Sequence, residues 1–400
     1  MNNPKAKEVD VIIAGGGLSG ALMALSLADL RRPTGQPLAI AMVENNPLTA
    51  DISASYDARV LALAHGSGQY LQRLGVWQAI KPDVTAINDI HISDRGHFGK
   101  VRLRASDYRV SALGYVVEMS ALGAKLLGQL ATKSNVNWYC PNQISQIQWQ
   151  SAQVQVSLAD QQLLHAPLLI ACDGAQSQCR QLAGIEITEY DYQQVAVIAN
   201  VSTERAHQGQ AFERFTEFGP IAMLPLSHER CSLVWTMTPN QAEQVMHFTE
   251  QAFQAELQKA FGGWLGAITK VGKRACFPLN LVQAKHNHFH RMALIGNASH
   301  TIHPIAGQGF NLGLRDVKQL AEQISAALLH EQDLGSLALL TDFTEHRRAD
   351  QQQVIGLTDS LVRLFSNQLP PLVVGRNMAL KWLNYITPLK TALAEKTMGH

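Results

Sequence analysis

The chain has 400 residues, of which 16% are charged and 46% hydrophobic, and its formal net charge is +1. This is a globular composition, long enough for two domains, and it excludes extended disorder. The near-neutral balance excludes the basic footprint of a nucleic-acid binder and gives no pull towards acidic partners.

Val9–Ala14 is a short β-branched apolar run ending in three glycines, which predicts a buried parallel strand. Leu18–Leu30 has helical spacing, and Pro33, Gly35 and Pro37 then punctuate a loop. Leu38–Glu44 is a second buried strand, so the chain opens with the βαβ unit of a doubly wound fold. Ala58–Leu74 reads as a helix ended by Gly75. Ile87–Ser93 and Val101–Leu103 read as strands around the turn-rich Asp94–Gly99, and Leu122–Lys133 as a helix. Val136–Tyr139, Ile144–Trp149 and Val154–Leu158 suit a meander, followed by the apolar strand Leu168–Ala171. From Gln194 to Trp235 the pattern changes to period-two alternation, interrupted by Gly219-Pro220. That predicts an antiparallel sheet with one wet face, and hence a second domain. A helix over Gln241–Phe261 follows, and the buried-strand pattern returns at Met292–Ile295. A distant segment therefore completes the first domain. Phe310, Leu314, Val317, Ala321, Ile324 and Leu328 recur at spacings of three and four, an amphipathic helix. Beyond Leu361 the chain is helix-rich and contains Pro370-Pro371.

Two motifs carry chemistry. The first, Gly15-Gly16-Gly17-Leu18-Ser19-Gly20, lies between the opening strand and helix. Gly15 permits the tight turn, Gly17 lets backbone approach a pyrophosphate, and Gly20 allows close helix–strand packing. The helix N-terminus adds N–H groups and partial positive charge, and Glu44 ends the next strand where a carboxylate can meet ribose hydroxyls. This half fits FAD or NAD. The second motif runs from Leu294-Ile295-Gly296-Asn297 through Pro304 and Gly307-Gln308-Gly309-Phe310-Asn311 to Asp316. Its second helix start can stabilise the anionic edge of a reduced flavin, a device an NAD dehydrogenase does not need. The pair points to FAD.

Arg59 in Asp57-Ala58-Arg59, the Asp173-Gly174-x-x-Ser177-x-x-Arg180 segment and Gly296–Asp316 resemble the group A flavoprotein aromatic hydroxylases over nearly the whole chain. His303–Asp316 is most similar to the ubiquinone-biosynthesis hydroxylases of that group. Ala196–Asn200, Ala211–Phe215 with Gly219–Pro225, and Asp359–Arg376 look like its 2-polyprenyl-6-methoxyphenol hydroxylases. The resemblance implies an α/β fold: a Rossmann-like FAD-binding domain of the p-hydroxybenzoate hydroxylase type, an inserted antiparallel-sheet substrate domain and C-terminal helices. The expected extents are 1–85, 110–185 and 275–345 for FAD binding, 86–109 and 186–274 for substrate, and 346–400 for the helical segment.

Carried over residue by residue, the resemblance implies that Gly15, Gly17, Gly20 and Glu44 hold the ADP half of FAD. Arg59 would reach the ribityl or pyrophosphate region, and Asp173 would bridge the FAD site and a transient site for NADPH or NADH, supported by Arg180. Asn297 would meet the ribityl chain, while Pro304, Gly307, Gln308, Gly309 and Asn311 would line the isoalloxazine. The wider family has Asp where this chain has Asn297, so weaker FAD retention is expected. Arg214, Phe215, Met223 and Pro225 are the candidate substrate contacts. Reduced flavin would react with O2 to give a C4a-hydroperoxide that hydroxylates an ionised polyprenyl phenol, with no side-chain nucleophile required.

Other readings stand beside these. Arg59 also suits a solvated helix start, and Asp173-Gly174 an ordinary strand-end turn. His286, His288, His290, His300 and His303 cluster in sequence but lack the partners and spacing of common metal sites. The five cysteines (Cys140, Cys172, Cys179, Cys231, Cys276) form no Cys-x-x-Cys pair, which fits reduced cytosolic thiols and argues against a disulfide reductase. Gly262–Gly266 lacks a preceding strand and reads as a loop. Met1–Asp10 has no apolar signal core, and no stretch reaches the roughly 18 apolar residues of a membrane span. A cytoplasmic protein, at most peripheral at the inner membrane, is expected. Met378, Trp382, Tyr385 and Ile386 share a helical face near Arg376, Lys381 and Lys390, which suits either packing or contact with a membrane or a biosynthetic partner complex. A hydroxylase of another ring position, a flavin reductase or oxidase, and a non-catalytic scaffold are the rival functions.

Overall fold

The computed structural model describes residues 6–47, 59–365 and 370–399. β1 (Val11–Ala14) is buried at every position, as a strand covered on both faces must be. Through the glycine turn the chain enters α1 (Leu18–Ala28) and returns as β2 (Ile40–Val43), parallel to β1. Leu22, Met23 and Leu27 of α1 are fully buried, each favouring the fold by ~1.5–3 kcal/mol over exposure.

β3 (Val60–Ala64), α2 (His65–Arg73) and β4 (Val84–Ile87) lead to the hairpin β5 (Asp89–Asp94) and β6 (Lys100–Arg104). β7 (Gly114–Glu118) pairs antiparallel with both β3 and β4. After α3 (Met119–Leu130), β8 (Val136–Tyr139) joins β2 in parallel. β9 (Ile144–Trp149), β10 (Val154–Leu158) and β11 (Leu163–Ala166) form an antiparallel meander, and β12 (Leu168–Ala171) lies parallel to β1.

The second large sheet follows: β13 (Ile187–Thr203), β14 (Gln210–Thr216), β15 (Gly219–Pro225) and β16 (Arg230–Met237). α4 (Pro239–His247) and α5 (Glu250–Phe261) cover one face, and β17 (Ile268–Val271) and β18 (Ala275–Ala284) complete the pairing. The sheet runs β18–β13–β16–β15–β14–β5–β6, so the early hairpin is part of it. β19 (Met292–Leu294) then returns beside β12, giving the parallel order β19–β12–β1–β2–β8. α6 (Gln308–Leu329) packs with α1 in one core. α7 (Leu337–Phe365), α8 (Pro370–Tyr385) and α9 (Thr387–Met398) end the chain.

Several expectations need correction. Of the helix expected over Ala58–Leu74, Ala58 lies outside the described residues, and Val60–Ala64 is a strand because β7 offers it a pairing edge. Val136–Tyr139 belongs to the parallel sheet rather than the meander, whose third strand is Leu163–Ala166. The single helix over Gln241–Phe261 is two: Thr238 caps α4 and Thr249 restarts the chain as α5 by accepting from the Ala252 N–H. β4, β7, β17 and β18 carried no recognised signal. No described helix is long and apolar enough to cross a membrane.

Candidate active site

The first glycine segment has the geometry that pyrophosphate approach demands. Gly15 sits at φ +94°, where a Cβ would lie 2.5 Å from the Cys172 carbonyl oxygen. A Cβ on Gly20 would fall 1.9 Å from the Gly15 carbonyl oxygen, so α1 can approach the turn only as glycine. Around Gly17 no atom lies within 4 Å of that position. Space is therefore open at the N-terminus of α1, which begins on Gly17 with no side chain capping it. Glu44 is held at this turn, accepting from the Gly16 N–H at 2.6 Å and the Asn46 N–H at 2.8 Å.

The second segment abuts the first. Gly296, at φ +57°, comes so close to α1 that a Cβ would meet Ser19 Oγ at 2.8 Å. Asn297 is exposed between buried Gly296 and Ala298, so its amide is offered outward at this junction. Pro304 is exposed as well, Gly309 half-buried and Gln308 buried. α6 starts from Gly307 at φ +61°, again without a side-chain cap. Asn311 has a supporting part: Oδ1 accepts from the Ala64 N–H and Ser67 Oγ, while Nδ2 donates to the Ala62 and Gly307 carbonyls. It fastens β3 to the start of α6.

Behind this loop lies a buried charge network that the sequence did not reveal. Asp316, with no exposure, accepts from the Gly296 N–H at 3.2 Å, Arg347 Nε at 2.7 Å and Gln351 Nε2 at 3.1 Å, and bonds His300 Nε2 at 2.8 Å. Burial alone would raise its pKa, but the charges of His300 and Arg347 outweigh it and bring the carboxyl down to about 2. The carboxylate thus pins the Gly296 turn to α7.

Asp173 and Arg180 join the two segments. Asp173 accepts from Ser177 Oγ at 2.5 Å and the Cys179 N–H at 2.9 Å, shaping the loop that packs on Gly15. Arg180 is buried and donates to the Ala298 carbonyl at 2.8 Å. Arg59 stands at the edge of β3, its guanidinium 5.7 Å from the Phe277 ring centroid; its companions Asp57 and Ala58 lie outside the described residues.

Strand alternation sorts the substrate candidates. Met223 is packed with Phe212, Ile221 and Leu233 under α4 and α5, in a cluster that includes no residue of the Pro304–Asn311 segment, the flavin loop of the expected site. Arg214 and Pro225, being two residues from Phe212 and Met223, share that helix-covered face. The sheet thus sets these three on the face opposite Phe215. Phe215 takes the opposite face, where it packs with Ile305 of the flavin loop and Tyr192. On that inner face Ile92, Glu213, Ala222, Val234 and Ile198 form one cross-strand row.

The five histidines go separate ways. His288 bonds Thr344, His290 stacks on Trp149 and His300 serves Asp316, while His286 is exposed. His303 is buried beside Tyr192, and burial lowers its pKa to about 4, so the imidazole at the flavin loop is neutral.

Three segments far apart in sequence therefore converge on two uncapped, glycine-led helix starts, the first with open space before it, a cradle that fits FAD. The family described as FAD binding domain matches residues 8–358. Ubiquinone hydroxylase UbiL of Rhodospirillum rubrum is 34% identical, with 98% of this chain and 90% of that one covered. Ubiquinone biosynthesis monooxygenase COQ6 of Homo sapiens is 30% identical over 95% of this chain and 90% of its own. The chain belongs to the FAD-dependent ubiquinone-biosynthesis hydroxylases. Another member, the 3-demethoxyubiquinol 3-hydroxylase of Escherichia coli, is 32% identical with 98% of each chain covered. The solved p-nitrophenol 4-monooxygenase PnpA of Pseudomonas putida superposes with TM-score 0.79 at 17% identity, covering 98% of this hydroxylase and 99% of PnpA. That likeness bears out the fold class expected from the sequence. FAD is the hydroxylase's cofactor, with NAD(P)H and O2 as the reactants of this class.

Proposed function

We propose that this hydroxylase converts 2-polyprenyl-6-methoxyphenol to 2-polyprenyl-6-methoxy-1,4-benzoquinol. The observation that carries the reading is convergence. Ala211–Phe215, Gly219–Pro225 and the 359–365 part of Asp359–Arg376, segments that resemble hydroxylases of this substrate, meet at one wall beside Ile305, where Phe215 stacks on Phe365 with ring centroids 3.7 Å apart. Bound FAD supplies two-electron chemistry and activation of O2. The chain binds and orients: Gly15, Gly17, Gly20 and Glu44 hold the ADP half, Arg59 and Asn297 the middle, and Pro304 with Gly307–Gly309 the ring system, while Asp173 shapes the approach of NADPH or NADH. The inner face of the second sheet presents the phenol and excludes water from it.

A prenyl tail partitions into lipid, and α8 has the surface to follow it. Arg376 is buried against Asp94, Nε to Oδ2 2.9 Å, whereas Val374, Met378 and Trp382 of α8, and Ile386 just beyond it, are exposed; the side chain of Tyr385 lies outside the described residues. This supports peripheral contact at a membrane or within a biosynthetic complex. Mass spectrometry of quinone intermediates in cells lacking the protein tests the substrate. Accumulation of the 6-methoxyphenol supports the reading. An unmethoxylated phenol or a demethoxyubiquinol would move the reaction to another ring position, as the Escherichia coli relative's name illustrates.

A further inference from the structure

A carboxylate stands alone in the apolar wall that faces the flavin loop. Glu213 lies on β14 between Ala211 and Phe215, which point the same way. Ala211 packs with Ile87, Val116 and Leu226 against the three-stranded sheet, and Phe215 packs with Ile305 of the flavin loop. Glu213 therefore occupies the gap between the two apolar clusters that join the second sheet to the cofactor domain. Across the sheet its register neighbours are Ile92 and Ala222, with Val234 beyond. Ile92, Glu213, Ala222 and Val234 are each only partly buried, although the other face of the same strands is closed beneath α4 and α5. The row is therefore less covered than the opposite face, and it lies beside Phe215, which shares a cluster with Ile305.

No described residue donates a hydrogen bond or an ion pair to Glu213. The charged and titratable groups around this face are engaged elsewhere. Asp94 on β5 pairs with Arg376, Glu118 on β7 with Arg230, and Tyr192 donates to Asp359. His303 is neutral, and Arg59 lies over Phe277. A lone carboxylate in an apolar wall is costly unless it meets a partner that arrives with the substrate.

We infer that Glu213 is the base that takes the phenolic proton of the substrate. The inference rests on the phenol-hydroxylase reading above. The phenol O–H bond breaks, its proton passes to a Glu213 carboxylate oxygen, and the electron pair left on oxygen is shared into the ring. The ring carbon para to the phenolate then becomes the nucleophile towards activated oxygen. Burial, with no opposing charge, raises the Glu213 pKa to about 7, which suits a base working near neutrality.

The test is the pH profile of phenol hydroxylation and of NADPH consumed per product, for the FAD-loaded wild type, Glu213→Gln and Glu213→Asp. Wild-type kcat/KM should rise with pH through about 7 as Glu213 ionises. Glu213→Gln should lose that limb, fall about 100-fold or more at neutral pH and divert reduced flavin to peroxide, while still taking up FAD. Glu213→Asp should keep the limb at a lower rate. A fluorinated phenol, already ionised at the assay pH, should restore coupling to Glu213→Gln. A wild-type profile and rate in Glu213→Gln would overturn the assignment. So would a failure of the ionised phenol to rescue it, which would make Glu213 structural. If the wild type hydroxylates no phenol, it is the functional reading that fails, and this inference falls with it.

Discussion

Replacing Asp316 by Asn removes one charge from a site with no solvent and leaves every atom nearly in place. In the wild type that carboxylate answers the Gly296 N–H, His300, Arg347 and Gln351 together. Its pKa of about 2 lies roughly two units below an unperturbed Asp, and each unit is about 1.4 kcal/mol, so ionisation stabilises the native state by about 2–3 kcal/mol at neutral pH. Asp316→Asn forfeits this and leaves Arg347 a single carboxylate partner among the described residues, Asp350 at 2.6 Å, so a loss of about 3–5 kcal/mol is expected. The sign with pH follows from the lowered native pKa. The contribution is full above about 4 and is lost as pH falls through about 2, so the variant should show none of that acid sensitivity. Urea unfolding at saturating FAD gives the midpoint and slope, and FAD titration by fluorescence gives affinity. The variant should unfold at lower urea with an unchanged slope and bind FAD about tenfold more weakly, because the Gly296 turn is released. An unchanged midpoint together with unchanged FAD affinity would refute the claim that this network holds the second flavin segment.

The two glycines of the first motif should separate folding from cofactor binding. Gly17→Ala, with nothing within 4 Å, should keep the apoprotein's unfolding midpoint yet lose FAD; Gly20→Ala, meeting the Gly15 oxygen at 1.9 Å, should lose both. Retained FAD in Gly17→Ala would mean that the phosphates lie elsewhere. Asn297→Asp should tighten FAD binding severalfold in titration, and equal affinities would show that the amide is no handicap. Trp382→Ser with Met378→Ser should reduce liposome flotation; these point changes are preferable to deleting α8, whose Arg376 is locked to Asp94. Equal flotation of the double variant and the wild type would argue against membrane contact through this face.

The flavin segments were legible because cofactor geometry writes itself locally. Gly15, Gly20 and Gly296 are each forced by a neighbouring backbone or side chain, and only glycine meets that demand. What depends on distant pairing was hidden. Val60–Ala64 has apolar spacing compatible with a helix, and only β7, more than forty residues later, makes it a strand. Val136–Tyr139 looks like its meander neighbours until β2 claims it. The substrate wall shows the same limit. Alternation tells which residues share a face, and it sets adjacent Arg214 and Phe215 on opposite faces. It does not tell which face α4 and α5 will cover. Glu213, two residues from Phe215, could have been flagged as the only charge on its side of β14. The Asp316–Arg347 pair arises from the packing of α6 on α7 and left no local trace.

The central claim is that this chain inserts an atom of O2 into a polyprenyl phenol. The most direct measurement is a turnover of the FAD-loaded protein with NADPH and 18O2, followed by mass spectrometry of the quinol. One 18O per product is expected, placed para to the original hydroxyl, with product formation tied to NADPH oxidation. NADPH oxidation that yields peroxide and no labelled quinol would contradict it.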